Sequence, residues 1–338
     1  YPLNRNRRLR SSHAIRALVR ETQLSKNDFI VPLFIVEGKN IKKEIISMPD
    51  YFQLSINNAE KEVKELWDIG IKAILLFVKI EDNLKDNKGS EAINNNGLMQ
   101  RAIKSIKNKV PEMLVITDVA LDPYSCFGHD GIVENFEVLN DPTLEVLSKM
   151  SVSHANSGAD FVAPSDMMDG RVLRIRQALE KEGFFNTGIM SYGVKYASSL
   201  YGPFRNALDS NPGFGDKKTY QIDYSNSKQA LNEVNKDIEE GADIIMVKPG
   251  MPYIDILNSL YKKIDVPLAV YQVSGEYSML KSAASKGFLD YDKVVLEQLF
   301  SFKRAGAAMI ATYHAKEAVK LLNQILWKEF LIFYFLWF

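Results

Sequence analysis

Four times along the chain, a polar stretch with helical spacing ends at a glycine and gives way to a short apolar run. These runs are Gly70–Phe77 (GIKAILLF), Gly158–Val162 (GADFV), Gly241–Val247 (GADIIMV) and Gly306–Ile310 (GAAMI). Glycine suits the position just past a helix end because it takes the left-handed conformation without strain. The runs that follow are apolar on both faces, as buried parallel strands are. Phe29–Ile35, Met113–Thr117, Thr187–Tyr192 and Pro267–Tyr271 read the same way and fill the gaps. Helical patterns lie between strands, among them Asn58–Asp68, Pro142–Ser157, Arg171–Glu182, Ser227–Glu240 and Tyr291–Arg304. Eight strands alternating with helices predict an α/β fold, a (β/α)8 TIM barrel. The rival is a doubly wound open sheet, but no Gly-rich dinucleotide fingerprint follows the first strand. The barrel is expected over 26–322, preceded by an arm and first helix over 1–25 and followed by an atypical aromatic tail over 323–338.

Composition narrows the classes. The 338 residues carry 42 basic and 42 acidic side chains and no formal net charge, so charge suggests neither nucleic acid nor a membrane surface as partner. The single cysteine, Cys126, excludes an intramolecular disulfide framework and suits a reducing, cytoplasmic setting. Residues 1–20 are arginine-rich and lack the apolar core of a signal peptide. The apolar run Phe330–Phe338 is shorter than the roughly 20 residues of a membrane span, so no membrane association is expected.

In a barrel of this kind chemistry sits at the carboxyl ends of the strands. Those ends carry Asp118, Ser165, Asp166, Lys195, Lys248, Ser274 and Tyr313. Lys248 leaves an apolar strand (IIMV) and precedes Pro-Gly. Desolvation and a nearby second cation both favour the neutral amine, which can attack a ketone and form a Schiff base. The plain alternative is a lysine snorkelling to solvent at a strand end. Between about 197 and 218 the chain reads ASSLYGPFRNALDSNPGFGDKK, a long irregular connection of the kind that serves as a lid. Asp166 and Asp169 are candidates for amine binding or proton transfer, and equally for capping the helix that begins near Arg171.

The motifs SYGVKYAS (Ser191–Ser198), MVKPGMPYIDI (Met246–Ile256), YQVSGEY (Tyr271–Tyr277), APSDMMDGR (Ala163–Arg171) and TDVALDPYSCFGHDG (Thr117–Gly131) resemble, in order, those of the 5-aminolevulinate dehydratase (porphobilinogen synthase) family. The likeness runs from the arginine arm to about Leu322. It implies a hydro-lyase of tetrapyrrole biosynthesis that joins two 5-aminolevulinates into porphobilinogen with loss of two waters. Both ketones would be activated as imines, the first-bound substrate on Lys248 and the second on Lys195, with Asp118 as a third catalytic group. Ser274 and Tyr313 would bind one substrate carboxylate. Arg205, Lys217 and Gln221, on or beside the lid, would bind the other.

The resemblance also bears on metals and assembly. Some members bind catalytic zinc through three cysteines, but here those positions read Ala120, Asp122 and Asp130. Carboxylates suit Mg²⁺ rather than zinc, which implies the zinc-independent branch with no catalytic zinc; whether Asp122 and Asp130 hold any ion stays open. Cys126 and His129 form a C-x-x-H pair that reads as a loop thiol and a hydrogen-bonded histidine. Glu233 matches the family's ligand for an activating Mg²⁺, although by itself it would be a solvated helix face. The basic arm is expected to wrap a neighbouring subunit of a homo-oligomer, an octamer by the family pattern. A Schiff-base aldolase and a non-catalytic protein of the same fold are the alternatives; the former needs one lysine, and the latter would be expected to have lost part of the set.

Overall fold

The computed structural model describes residues 3–324. Eight strands form the barrel: β1 (Phe29–Val36), β2 (Ala73–Lys79), β3 (Leu114–Val119), β4 (Phe161–Pro164), β5 (Gly188–Lys195), β6 (Ile244–Lys248), β7 (Leu268–Gln272) and β8 (Met309–Thr312). Each pairs in parallel with the next, and β8 returns to β1 with Ile310 opposite Phe29. Closure removes the open-sheet alternative, and every strand falls on a run marked in the sequence. The five marked helices are present, and Leu98–Lys109, Ile254–Tyr261 and Ser274–Ser285 add three more. A hairpin of Lys42–Glu44 and Phe52–Ser55 extends the sheet beyond β1.

Strand side chains alternate between two cores, since successive residues point to opposite faces. The outer layer, between strands and helices, takes Ile74, Val115, Ile189, Ile245, Val270 and Ile310. The barrel interior takes Phe34, Phe77, Ile116, Met190, Tyr192, Met246, Tyr271 and Tyr313. The same period of two carries Asp118 inward two residues after Ile116, and Lys248 inward two after Met246.

β5 departs from this rule. Ile245 pairs with Ser191, and Val247 then pairs with Val194, so three steps on β5 oppose two on β6. This bulge turns Val194 to the outer core and brings Lys195 inward, directly opposite Lys248. Gly193 sits in the bulge, where an added Cβ would lie 2.7 Å from Asp237 Oδ2. Asp237 cannot easily withdraw. It is buried, accepts from Ser191 Oγ at 2.5 Å and pairs with Arg171 at 3.0 Å.

Two sequence expectations are corrected. The connection after β5 is not irregular throughout: Ser199–Tyr201 is a 3-10 turn and Gly202–Leu208 a short helix with Pro203 in its first turn. Proline there fits a helix start, where its missing N–H is no loss. Nor do Asp166 and Asp169 cap the helix Arg171–Lys181, whose N-cap is Gly170 in the left-handed region with no side-chain bond. Asp166 instead accepts from Met168 N at 2.8 Å, and Asn140 Oδ1 occupies the backbone N–H of Asp169 at 2.7 Å.

The arm forms two short exposed turns, Asn6–Arg10 and His13–Leu18, with no buried residue. From residue 325 onward the expected tail lies outside the described residues. Gly193→Ala is expected to lower stability by about 1–3 kcal/mol through overpacking, measured by urea unfolding; an unchanged midpoint would show that the bulge has room to spare.

Candidate active site

At the carboxyl end of the barrel a small cavity is lined by Phe77, Asp118, Asp122, Ser165, Lys195, Tyr201, Phe204, Arg205, Lys217, Gln221 and Lys248. It thus gathers six of the eight catalytic and substrate-binding candidates. Its volume is about 20 Å³, room for about one water.

Opposite in register, the two lysines have different surroundings. Lys195 donates to the Ser165 carbonyl and lies 3.4 Å from Asp130 Oδ2. Lys248 is boxed by aromatic rings, its Nζ 4.5 Å from the centre of Tyr271, 5.0 Å from Tyr192 and Phe204, and 5.3 Å from Tyr201. Burial, then the charge of Lys195, lowers the Lys248 pKa to about 7. The Asp118 carboxyl is pushed up to about 7 by burial and then by Asp122, against the pull of Lys195. An amine and a carboxyl that both titrate near neutrality can pass a proton without a large uphill step.

The loop after β3 supplies the counter-charge. Lys217 Nζ lies 2.9 Å from Asp130 Oδ1 and 3.3 Å from Asp122 Oδ2. Burial would raise the Asp130 pKa, yet Lys195 and Lys217 together hold it down at about 2. Burial also raises Asp122, with Lys217 opposing. An ammonium therefore sits where the two carboxylates converge, and Ala120 offers no donor, so this arrangement does not fit a metal ion. Among the described residues no group of three or more His, Cys, Asp or Glu is placed to hold one. His129 contacts Tyr220 Oη at 3.0 Å and the Phe214 carbonyl at 3.1 Å, and Cys126 is exposed.

The lid is shut over this site. Phe204 packs its ring against Phe77 at 4.9 Å and Phe34 at 5.6 Å. Gln53 Nε2 donates to Ala207 O at 2.6 Å, and Lys79 pairs with Asp209. Ser274 and Tyr313 stand behind Phe204 rather than on the cavity wall. Ser274 Oγ accepts from Phe204 N at 3.0 Å, and the Tyr313 hydroxyl meets that of Tyr271 at 2.9 Å. Gln221 Oε1 is buried with no hydrogen-bond partner, aimed at nothing in the closed site. Glu233 lies elsewhere, half-buried in a cleft of about 890 Å³ that also holds Asp169. Burial, and to a smaller extent Asp169, raises its pKa, while Lys236 opposes.

Sequence reasoning missed the aromatic box. Counting in twos from the strand-end residues does not reach its strand members: Lys195 leads back to Gly193 and Ser191, and Ser274 to Gln272 and Val270, so Tyr192 and Tyr271 are skipped. Tyr201 and Phe204 sit in the lid, where no period applies.

A closed (β/α)8 barrel with two buried lysines side by side at the carboxyl ends of its strands is the architecture of a barrel enzyme. The sequence profile described as delta-aminolevulinic acid dehydratase matches residues 3–321. The chain is 52% identical over 326 residues to the delta-aminolevulinic acid dehydratase of Synechococcus elongatus, covering 95% of this chain and 99% of that one. It is 50% identical to that of Bacillus subtilis over 95% and 98% of the two chains. The crystal structure of the Toxoplasma gondii dehydratase (porphobilinogen synthase) in complex with its product porphobilinogen superposes with a TM-score of 0.92 at 49% identity, over 94% of this chain and 91% of that one. The chain belongs to the delta-aminolevulinic acid dehydratase family.

Below its pKa near 7, Lys248 carries a proton and has no lone pair; above it the neutral amine dominates. The initial rate of imine formation at Lys248 with 5-aminolevulinate, quenched by borohydride, should therefore rise about tenfold per pH unit below neutrality and level off above about pH 8. A rate independent of pH across this range would contradict the assignment.

Proposed function

We propose that this protein condenses two molecules of 5-aminolevulinate into porphobilinogen, releasing two waters. The observation that carries this is the register pairing of Lys195 with Lys248 inside one aromatic-walled cavity. Each amine, once it has given up its proton, adds to a substrate ketone, and the carbinolamine expels the former ketone oxygen as water, leaving an imine. Carbon–carbon and carbon–nitrogen bond formation between the two held substrates closes the ring, and both lysines are released. Asp118, protonated or not near neutrality, stands beside both amines to give and take protons.

The carboxylates of the substrates need cationic or hydroxyl partners. Arg205, Lys217 and Gln221 serve one, supported by their place on the cavity wall and by the unpartnered Gln221 oxygen. Ser274 and Tyr313 serve the other once Phe204 withdraws: that frees Ser274 Oγ from the Phe204 amide, and in the Tyr271–Tyr313 pair one hydroxyl proton is left over for a carboxylate oxygen. With about 20 Å³ of space, the site admits substrate only when the lid lifts. Substrate anions then compete with Asp122 and Asp130 for Lys217.

Metal dependence follows the magnesium type. Asp122 and Asp130 are already neutralised by lysines and lack the thiolates zinc prefers. Glu233, with Asp169 in the same cleft, would hold an activating Mg²⁺ outside the site, with waters completing the shell. The arm over 1–25 is an assembly element of a homo-oligomer, commonly an octamer in this family, which agrees with Leu3, Leu9 and Leu18 standing 87%, 54% and 81% exposed on the single chain. Among the described residues no helix is long and apolar enough to cross a membrane. A cytoplasmic location is our reading of the thiol content.

Purified protein stripped by chelator should regain porphobilinogen formation with Mg²⁺ and not with Zn²⁺. Rescue by zinc alone would keep the reaction and reverse the metal assignment; no product with either ion, from folded protein, would refute the function. Lys248→Met should reduce turnover by about 1000-fold or more. Deleting residues 1–12 should reduce the oligomer mass seen by light scattering before it alters the chemistry, and an unchanged mass would count against the arm's role.

A further inference from the structure

Glu276 is buried beside the active site and has no part in the chemistry described above. Its side chain is 2% exposed, and among the described residues no lysine, arginine or histidine pairs with it. A carboxylate removed from water without a counter-ion persists only where hydrogen bonds replace the lost hydration. Three backbone amides do so here. Met251 N donates to Oε1 at 2.7 Å, and Gly250 N and Val273 N donate to Oε2 at 3.2 and 2.7 Å.

These donors belong to two different parts of the barrel rim. Gly250 and Met251 form the loop that leaves β6 straight after Lys248. Val273 follows β7 and is the N-cap of the helix Ser274–Ser285, whose first residue receives the lid amide of Phe204. One side chain thus ties the exit of the Lys248 strand to the base of the lid seat. The loop has little freedom to find another arrangement: a Cβ on Gly250 would lie 2.8 Å from the Phe302 ring and 3.2 Å from the Tyr271 carbonyl. The Lys248 carbonyl is itself fixed, accepting from Tyr196 N at 3.0 Å and from the Tyr201 hydroxyl at 3.3 Å. Lys195 is held by other partners: its carbonyl accepts from Ile222 N at 3.0 Å, its strand is braced by Ser191 and Asp237, and the three amides that Glu276 grips all lie outside that strand.

We infer that Glu276 is a positioning residue for Lys248: by gripping the amides of Gly250, Met251 and Val273 it sets where the Lys248 amine stands in its aromatic box. The inference rests on the proposed imine chemistry and deepens it by separating the two lysines. An amide side chain cannot do the same work. Whichever way the carboxamide of Gln is turned, its NH2 faces a backbone N–H. Asp can still reach the Val273 amide on its own helix but falls short of the loop.

The full-length protein is treated with 5-aminolevulinate and borohydride, and the label on each lysine is counted by peptide mass spectrometry. In Glu276→Gln and in Glu276→Asp the label on Lys248 should fall by about 10- to 100-fold, while that on Lys195 stays within about twofold, as expected when one amine alone is misplaced by a fraction of an ångström. The loss of turnover should appear in kcat rather than KM. Normal labelling of Lys248 in either folded variant overturns the inference. So does a parallel fall at both lysines, or failure of both variants to fold, since each would make Glu276 a general structural group. If the unsubstituted protein takes no label at either lysine, the proposed reaction itself fails and this inference falls with it.

Discussion

Two lysines face each other in register across adjacent parallel strands, in a place almost closed to water, and the rest of the site answers the problem this creates. Neighbouring strands stand roughly 4.8 Å apart. Ammonium groups on residues opposed across such strands repel strongly in a medium of low polarity. One of them must give up its proton or find anions. The structure does both, one for each lysine. Lys195 has Asp130 and the Ser165 carbonyl; Lys248 is walled by ring faces and is the amine whose pKa falls to about 7. A chemically useful asymmetry between identical side chains therefore follows from their neighbours.

The carboxylates follow from the same balance. Lys195 and Lys217 bring two positive charges to Asp122 and Asp130, and both pairings are buried. Such a cluster is stable only while its partners stay together, because removing one leaves an unpaired charge away from water. Lys217 arrives from the lid. Closing the lid thus completes the charge balance of the loop after β3, and opening it hands that lysine to an incoming anion. Asp118 forms no ion pair in this exchange, but burial and then the neighbouring Asp122 push its pKa up to about 7.

The barrel was legible in the sequence because buried parallel strands are written in nearly continuous apolar letters and four of the eight follow a helical stretch that ends in glycine. Lys248 and Asp118 were legible as strand-end residues for the same reason. Lys195 was legible as a residue but its aim was not: simple alternation from Met190 and Tyr192 points Val194, not Lys195, into the barrel. The extra residue of the bulge reverses this, and the bulge lies against Asp237, distant in sequence. The lid was marked by its length and its Gly and Pro content, yet its short helix and the insertion of Phe204 depend on aromatic packing against Phe34 and Phe77. Partners separated by over a hundred residues leave no local period to read.

The bulge and the Glu276 grip act on opposite sides of the lysine pair. On β5 a fault in the strand register, packed against the buried Asp237–Arg171–Ser191 cluster, turns a side chain from the outer core to the inner one. On β6 the alternation is regular, and what needs holding is the loop beyond it, which only a carboxylate with three amide donors spans. A barrel supplies a rigid frame but only a coarse angular choice at each strand end, inward or outward. Condensing two substrates demands finer placement than that choice allows. In this chain the refinement comes from buried polar groups behind the reacting amines, groups whose stability cost is justified by neither the core nor the surface alone.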